Sequence, residues 1–195
     1  RRGAREGIPA LVRARAEIEA LASADVVRAV GETGLDYYRT GPELHDAQDR
    51  SFRWHIDLAR SLDKALVIHD RDAHDDVITT PESQGAPRTV VFHCFSGDAD
   101  MARYCADRGW FMSFAGPITY KANDALRAAL SVVPDELLLV ETDAPYLTPV
   151  PERGKPNASW LMPHTVRFMA EHRGTDLARM CDLLYANAQR AFGEW

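Results

Sequence analysis

Cysteine is scarce in this chain of 195 residues: Cys94, Cys105 and Cys181 are the only three, and no two of them form a CxxC pair. Neither a disulfide framework nor a cysteine zinc site is indicated, and a reducing, cytoplasmic setting is the expectation. Long apolar runs are missing as well. Nothing approaches the roughly 20 residues that a membrane helix needs, and the start of the chain lacks the charged-then-apolar pattern of a signal peptide. No membrane partner is expected. Positive charge is in deficit, with 23 Lys plus Arg against 29 Asp plus Glu and a formal net charge of -6. That balance speaks against a protein that holds nucleic acid by bulk positive charge, but it leaves room for an enzyme that handles it through bound metal. There is no GxSxG elbow, no GxxxxGK[ST] phosphate loop and no GxGxxG, so serine hydrolase, P-loop and dinucleotide-binding readings all lack their key residues. No repeat, low-complexity tract or Gly/Ser linker interrupts the sequence, and residues 1–195 read as a single domain.

What is present is a composition of ordinary globular type, 46% hydrophobic and 27% charged. Short apolar runs recur at Val26 to Val30, Ala65 to Ile68, Thr89 to Phe92, Trp110 to Phe114 and Leu137 to Val140. They are continuous rather than alternating, as expected of parallel strands covered on both faces. Between the first two, Leu44, Ala47, Phe52, Ile56, Ala59 and Leu62 fall near helical spacing and predict a long amphipathic helix. Similar patterns follow at Ala99 to Arg108, Asn123 to Val132, Pro163 to His172 and Asp176 to Phe192. Alternating strand and helix predict a parallel α/β fold, either an open doubly wound sheet or a (β/α) barrel.

Four of the five runs stop at residues that can bind metal. Val26 to Val30 leads into Gly31 and Glu32, Ala65 to Ile68 ends at His69, Thr89 to Phe92 ends at His93, and Leu137 to Val140 leads into Glu141, Thr142 and Asp143. In a parallel α/β fold these ends share one side of the sheet, where barrel enzymes place their chemistry. A lone His or Asp at such a place is more often a hydrogen-bonded core residue or a helix cap. Several together repel and desolvate one another unless a cation is present. A nitrogen and oxygen ligand set without thiolate suits Zn, Mn or Mg, and hydrolysis is the natural reaction class. Asp143, beyond a buried strand, is the better placed general base, and a tight turn at Glu32-Thr33-Gly34 is expected to present the Glu32 carboxylate to metal. Cys94, next to His93, is expected to be a packed thiol rather than a nucleophile.

Four blocks in order, Gly31-Glu32-Thr33-Gly34-Leu35-Asp36-Tyr37-Tyr38, Val67-Ile68-His69-Asp70-Arg71, Phe92-His93-Cys94-Phe95-Ser96-Gly97 and Glu141-Thr142-Asp143-Ala144-Pro145-Tyr146-Leu147, resemble the TatD family of metal-dependent hydrolases and deoxyribonucleases. Arg153-Gly154-Lys155 and Asn157 follow at the spacing of the family's next block, and the likeness runs through Asn187 to Ala191-Phe192-Gly193. The resemblance implies a TIM-like (β/α) barrel of the amidohydrolase kind. By it, Glu32 bridges two divalent metals (Mg, Mn or Zn), His69 and His93 are ligands, and Asp143 binds metal while activating the attacking water. It implies an ester-bond hydrolase that cleaves phosphodiester bonds in DNA, commonly as a 3'-5' exonuclease on single strands, and a monomeric protein. Arg71, Arg153, Lys155 and Asn157 become candidates for substrate contact, and Tyr37, Tyr38 and Tyr146 for stacking on a base.

The sequence also departs from the family. Its opening His-x-His pair, which supplies two ligands, occurs nowhere in this chain. His45, His55, His74, His164 and His172 lack that spacing and are expected at the surface. After Asn157 stand Ala158-Ser159 where the family usually has Glu-Pro. A closed barrel of this type takes about 250 residues and eight strands. The expectation is therefore about the last five of eight β/α units, with the first strands and half of the metal site lying upstream of Arg1, and edges too exposed for easy folding in isolation. An in-frame strand ending in His-x-His upstream of Arg1 is the check on that expectation. Two further readings stand beside the nuclease: a catalytically incomplete chain that acts as a binding module, and another barrel hydrolase such as a D-aminoacyl-tRNA deacylase, a phosphotriesterase-like or an amide-cleaving enzyme.

Overall fold

The apolar runs form strands because their side chains find cover on both faces. The computed structural model describes residues 8–194, so Arg1 lies outside the described residues. The chain divides into two compact units, one ending at Val90 and the other starting at Val91. Among the described residues there are five strands, and the fold class is α/β with parallel strands, as expected.

The first unit carries α1 (Ile8–Ala22), β1 (Ala29–Asp36), α2 (His45–Ser61), β2 (Ala65–Arg71) and α3 (His74–Gln84). β1 and β2 pair in parallel from Ala29 opposite Ala65 to Asp36 opposite Arg71. The amphipathic pattern of α2 is realised: Phe52, Ile56, Leu58 and Ala59 are buried, and the helix packs on β1. Burying side chains of this size stabilises by about 1.5–3 kcal/mol each. Leu66 of β2 donates its backbone N–H to Thr89 O at 2.9 Å, just before the next strand.

The expected first strand is misplaced by several residues. Val27 N–H closes a turn on Ala24 O at 3.0 Å, Val26 is 82% exposed, and β1 starts only at Ala29. It then runs on through Glu32, Thr33 and Gly34, where a turn was expected. Helices α1 and α3 have no counterpart among the sequence expectations. The second holds Pro81 inside its span, a residue that ordinarily argues against helix.

The second unit takes in β3 (Val90–Phe92) from Val91 onward, then α4 (Ala99–Asp107), β4 (Phe111–Phe114), α5 (Asp124–Val132), β5 (Leu138–Val140), α6 (Met162–His172) and α7 (Leu177–Phe192). Met112 pairs with Leu138 and Val91 with Phe111, both in parallel. All four residues of β4 are buried, so the continuous apolar run is explained by cover on both faces. Rings fill this core, with Phe92 against Trp110 at 5.9 Å and Phe95 against Phe114 at 5.7 Å between centroids. Asp98 caps α4 by accepting from Asp100 N and Met101 N. Buried Asn187 of α7 donates Nδ2 to Leu138 O and to Asp135 O, both at 2.7 Å, which ties the last helix to the entry of β5.

Two of the other histidines pack beside strand ends, His74 on Asp70 of β2 and His45 on Tyr37 just after β1. His45 opens α2 and stacks on Tyr37 at 3.7 Å, and His172 ends α6 beside Ser131 Oγ at 2.8 Å. His45, His55 and His164 depart from the surface expectation in being half-buried; in α2, His55 Nδ1 lies 2.7 Å from Ser51 O, and burial lowers its pKa.

Candidate metal centre

In the first unit, the site begins with two glycines. The β1–β2 register shifts between Val30 and Thr33, so Gly31 and Glu32 form a bulge inside the strand. A bulge re-aims the side chain it carries. A Cβ on Gly31 would meet Val67 atoms at 2.7 Å, and one on Gly34, at φ +148, would lie 2.0 Å from His69 O. Only glycine lets β1 lie this close to β2 at these points. Glu32 is therefore presented by a bulge, and the expected tight turn is corrected accordingly.

His69 lies within β2, opposite Gly34. Its Nδ1 is 3.6 Å from Glu32 Oε1 and its Nε2 is 3.3 Å from Asp36 Oδ2. The Asp36 side chain is 1% exposed, whereas that of Glu32 is 40% exposed. One carboxylate thus backs the imidazole from the core while the other meets it from the open side. Asp70 is engaged by Nδ1 of His74 at the start of α3. The Arg71 guanidinium lies over the Tyr38 ring at 4.0 Å, a cation–π arrangement that holds it flat on an exposed aromatic. Tyr37 donates its hydroxyl to Asp76 Oδ2 at 2.5 Å, and burial with this bond and the nearby acidic charges raises its phenol pKa.

In the second unit, His93 directly follows β3, and Cys94 turns the chain with φ 43. Cys94 is thus in a turn rather than on the strand, and it is partly covered. Glu141 follows β5, and its N–H donates to Phe114 O at 3.1 Å, which extends the ladder by one residue. Its carboxylate accepts from Cys94 N–H through Oε1, and its Oε2 lies 2.8 Å from His93 Nδ1. The other imidazole nitrogen, Nε2, is 3.7 Å from Asp143 Oδ1. Asp143 has φ 55, a conformation that Asp and Asn adopt more readily than most residues.

The loop after Asp143 is built from its own polar groups. Asn157 is 5% exposed and donates Nδ2 to Thr142 O and Tyr146 O, both at 2.7 Å, while its Oδ1 accepts from Ala158 N–H. Its polar atoms serve the loop. Tyr146 stands 70% exposed at that loop's surface. Arg153 lies over Tyr120 at 4.0 Å, and Tyr120 donates its hydroxyl to Thr148 O at 2.9 Å with its pKa raised by burial. Lys155 pairs with Glu152, and that bond holds the Glu152 carboxyl below its usual range.

Within the first unit, Glu32 and His69 bring a carboxylate oxygen and an imidazole nitrogen to 3.6 Å of one another, two donors of the kind a metal ion takes. The sequence assigns no role to Asp36 and places Glu141 only among the strand-end residues able to bind metal. For Glu141 a signal existed: two residues apart, Glu141 and Asp143 fall on the same side of an extended chain. For Asp36 there was none, since burial of a carboxylate follows from tertiary packing.

The chain matches a model described as TatD related DNase over residues 9–193. A Mycobacterium tuberculosis protein named as an uncharacterized metal-dependent hydrolase, TatD, is 46% identical over 185 residues, covering 92% of this chain and 70% of that protein. The Escherichia coli K12 metal-dependent hydrolase YcfH, likewise named as uncharacterized, is 38% identical over 177 residues, covering 90% of this chain and 66% of that protein. The crystal structure of YJJV, a TatD homolog from Escherichia coli K12, superposes with a TM-score of 0.84 at 27% identity over 95% of this chain and 70% of that one. A TatD family hydrolase structure from Entamoeba histolytica gives 0.74 at 21% identity over 86% of this chain and 64% of that one, which bears on the fold alone. These likenesses put the parallel α/β fold in the TIM-like class. With the family model spanning nearly the whole sequence, the chain belongs to the TatD-related DNase family.

Proposed function

We propose that this protein is a TatD-type metal-dependent hydrolase that cleaves phosphodiester bonds in DNA, acting on single strands as a 3'-5' exonuclease, and that residues 1–195 belong to one hydrolase domain of a monomeric, cytoplasmic protein. The observation that carries the proposal is the paired treatment of the two imidazoles. Each has one nitrogen against a supporting carboxylate, Asp36 for His69 and Glu141 for His93, and the other nitrogen toward a more exposed acid, Glu32 or Asp143. Carboxylate support of the far nitrogen is the habit of metal-ligating histidines. The donor set of imidazole nitrogens and carboxylate oxygens fits Mg, Mn or Zn, with two ions to a complete site.

The proposed ligands are Glu32, His69, His93 and Asp143. A divalent cation held by them would lower the pKa of a coordinated water and polarise a phosphoryl oxygen. The chain's own groups do the rest. Asp143 takes the proton of the attacking water, and His93, held by Glu141, fixes where Asp143 stands. Glu32 contributes charge from the β1 bulge. Arg71, Arg153 and Lys155 contact substrate phosphates, and the cation–π seats of the two arginines limit the rotamers each must give up on binding. Asn157 acts by holding Tyr146, whose exposed ring is offered to a base.

The test is a comparison of substrates by the full chain under Mg, Mn and Zn in turn: end-labelled single-stranded DNA against a D-aminoacyl-tRNA and small phosphotriesters, carboxylic esters and amides. The proposal expects mononucleotides released from the 3' end, with chelation stopping the reaction. Faster turnover of a non-DNA substrate in every metal overturns it in favour of another hydrolase, and no turnover with bound DNA overturns it in favour of a binding module.

A further inference from the structure

We infer that Asp36 is a positioning residue for His69: its buried carboxylate sets the imidazole's tautomer and orientation, and Gln48 holds Asp36 in place. The consequence for metal binding rests on the function proposed above, but the tautomer does not.

Asp36 is the last residue of β1 and is 1% exposed. Nearly every polar atom it owns is directed. Its N–H donates to Gln48 Oε1 at 2.8 Å, its carbonyl accepts from Gln48 Nε2 at 3.4 Å and from the Thr40 hydroxyl, and Oδ1 accepts from Arg39 N–H at 2.9 Å. Gln48 is itself 4% exposed and reaches from α2, with Nε2 also on Thr40 Oγ1. With Oδ1 so engaged, Oδ2 stands 3.3 Å from His69 Nε2. Turn formation alone accounts for the bond to Arg39. It does not call for an imidazole on the other oxygen.

A buried carboxylate beside a neutral imidazole favours the tautomer whose N–H faces it, since that N–H offsets part of the cost of burying the charge. The Nε2–H form is then selected, and the Nδ1 lone pair is left on the side of Glu32, 3.6 Å from its Oε1. Histidine in water divides between two tautomers and many ring angles. Holding one of them ahead of time removes that cost from binding, and losing such support typically weakens metal affinity 10–100-fold.

The experiment uses the metal-free full chain and long-range proton–nitrogen NMR correlations at about pH 8, above the ordinary imidazole pKa of about 6.5. The Nε2–H form of His69 is expected to dominate in the unaltered protein and the Nδ1–H form to gain in Asp36→Asn. Titration of the same two samples with Mn or Zn is expected to show the variant binding about 10–100-fold more weakly. A dominant Nδ1–H form in the unaltered protein overturns the inference without recourse to any variant, as does an Asp36→Asn sample with unchanged tautomer and affinity. Failure of the unaltered protein to bind Mn, Zn or Mg sinks the metal-hydrolase reading instead, and leaves the tautomer result to judge Asp36.

Discussion

Asp143→Asn is expected to slow hydrolysis of single-stranded DNA by about two to four orders of magnitude while leaving the fold intact, the usual range for loss of a general base. The side chain is 35% exposed and lies 3.7 Å from His93 Nε2, so the position is open to a substrate on one side and fixed on the other. The substitution suits the test because of the backbone. Asp143 has φ 55, which asparagine tolerates about as well as aspartate, so the turn after β5 survives. The amide keeps the size and an acceptor oxygen but cannot take a proton from water. Single-turnover decay of labelled DNA, with circular dichroism to check the fold, reads the effect. A rate within tenfold of the unaltered protein would remove Asp143 from the proposed role.

Gly34→Ala is expected to destabilise the fold by about 2–6 kcal/mol, the sum of a strained backbone and an overpacked contact. Gly34 has φ +148, and an added Cβ would stand 2.0 Å from His69 O, a backbone atom with no rotamer through which to retreat. Either β1 lifts from β2 or His69 moves. Both outcomes separate Glu32 from His69, so one methyl group damages fold and site together. Urea unfolding gives the stability change. A loss below about 0.5 kcal/mol, the range of an ordinary surface substitution, would contradict the close approach of the two strands.

These two residues also mark what the sequence discloses. The strand that leads to Asp143 was legible as the short apolar run Leu137 to Val140, since such runs are visible wherever a strand is covered on both faces. β4 was legible for the same reason, being buried at every position. The extent of β1 was misread because from Glu32 onward it carries polar residues, Glu32, Thr33 and Asp36, in a run where burial and not residue type decides the pairing. Its bulge arises from the approach to β2, which no local pattern encodes. Helix α3 was hidden by Pro81, and the seat of Arg71 on Tyr38 or of Arg153 on Tyr120 depends on contacts between residues far apart in the chain. Asn157 is a candidate substrate contact by its motif, and the bonds of its amide to Thr142 and Tyr146 depend on the folded loop. The support of His69 by Asp36 belongs with these, since it needs a carboxylate to be buried before it has any meaning.

The central claim, that Glu32 is a metal ligand, is tested most directly by calorimetric titration of the full chain and two variants with Mn or Zn. Glu32→Asp keeps the charge but shortens the reach by one methylene, drawing the carboxylate back from His69 Nδ1, now 3.6 Å away. The account predicts saturable binding by the unaltered protein, affinity reduced at least about tenfold in Glu32→Asp, and no change in Arg153→Ala, whose guanidinium rests on Tyr120. Equal binding by Glu32→Asp and the unaltered protein would contradict it.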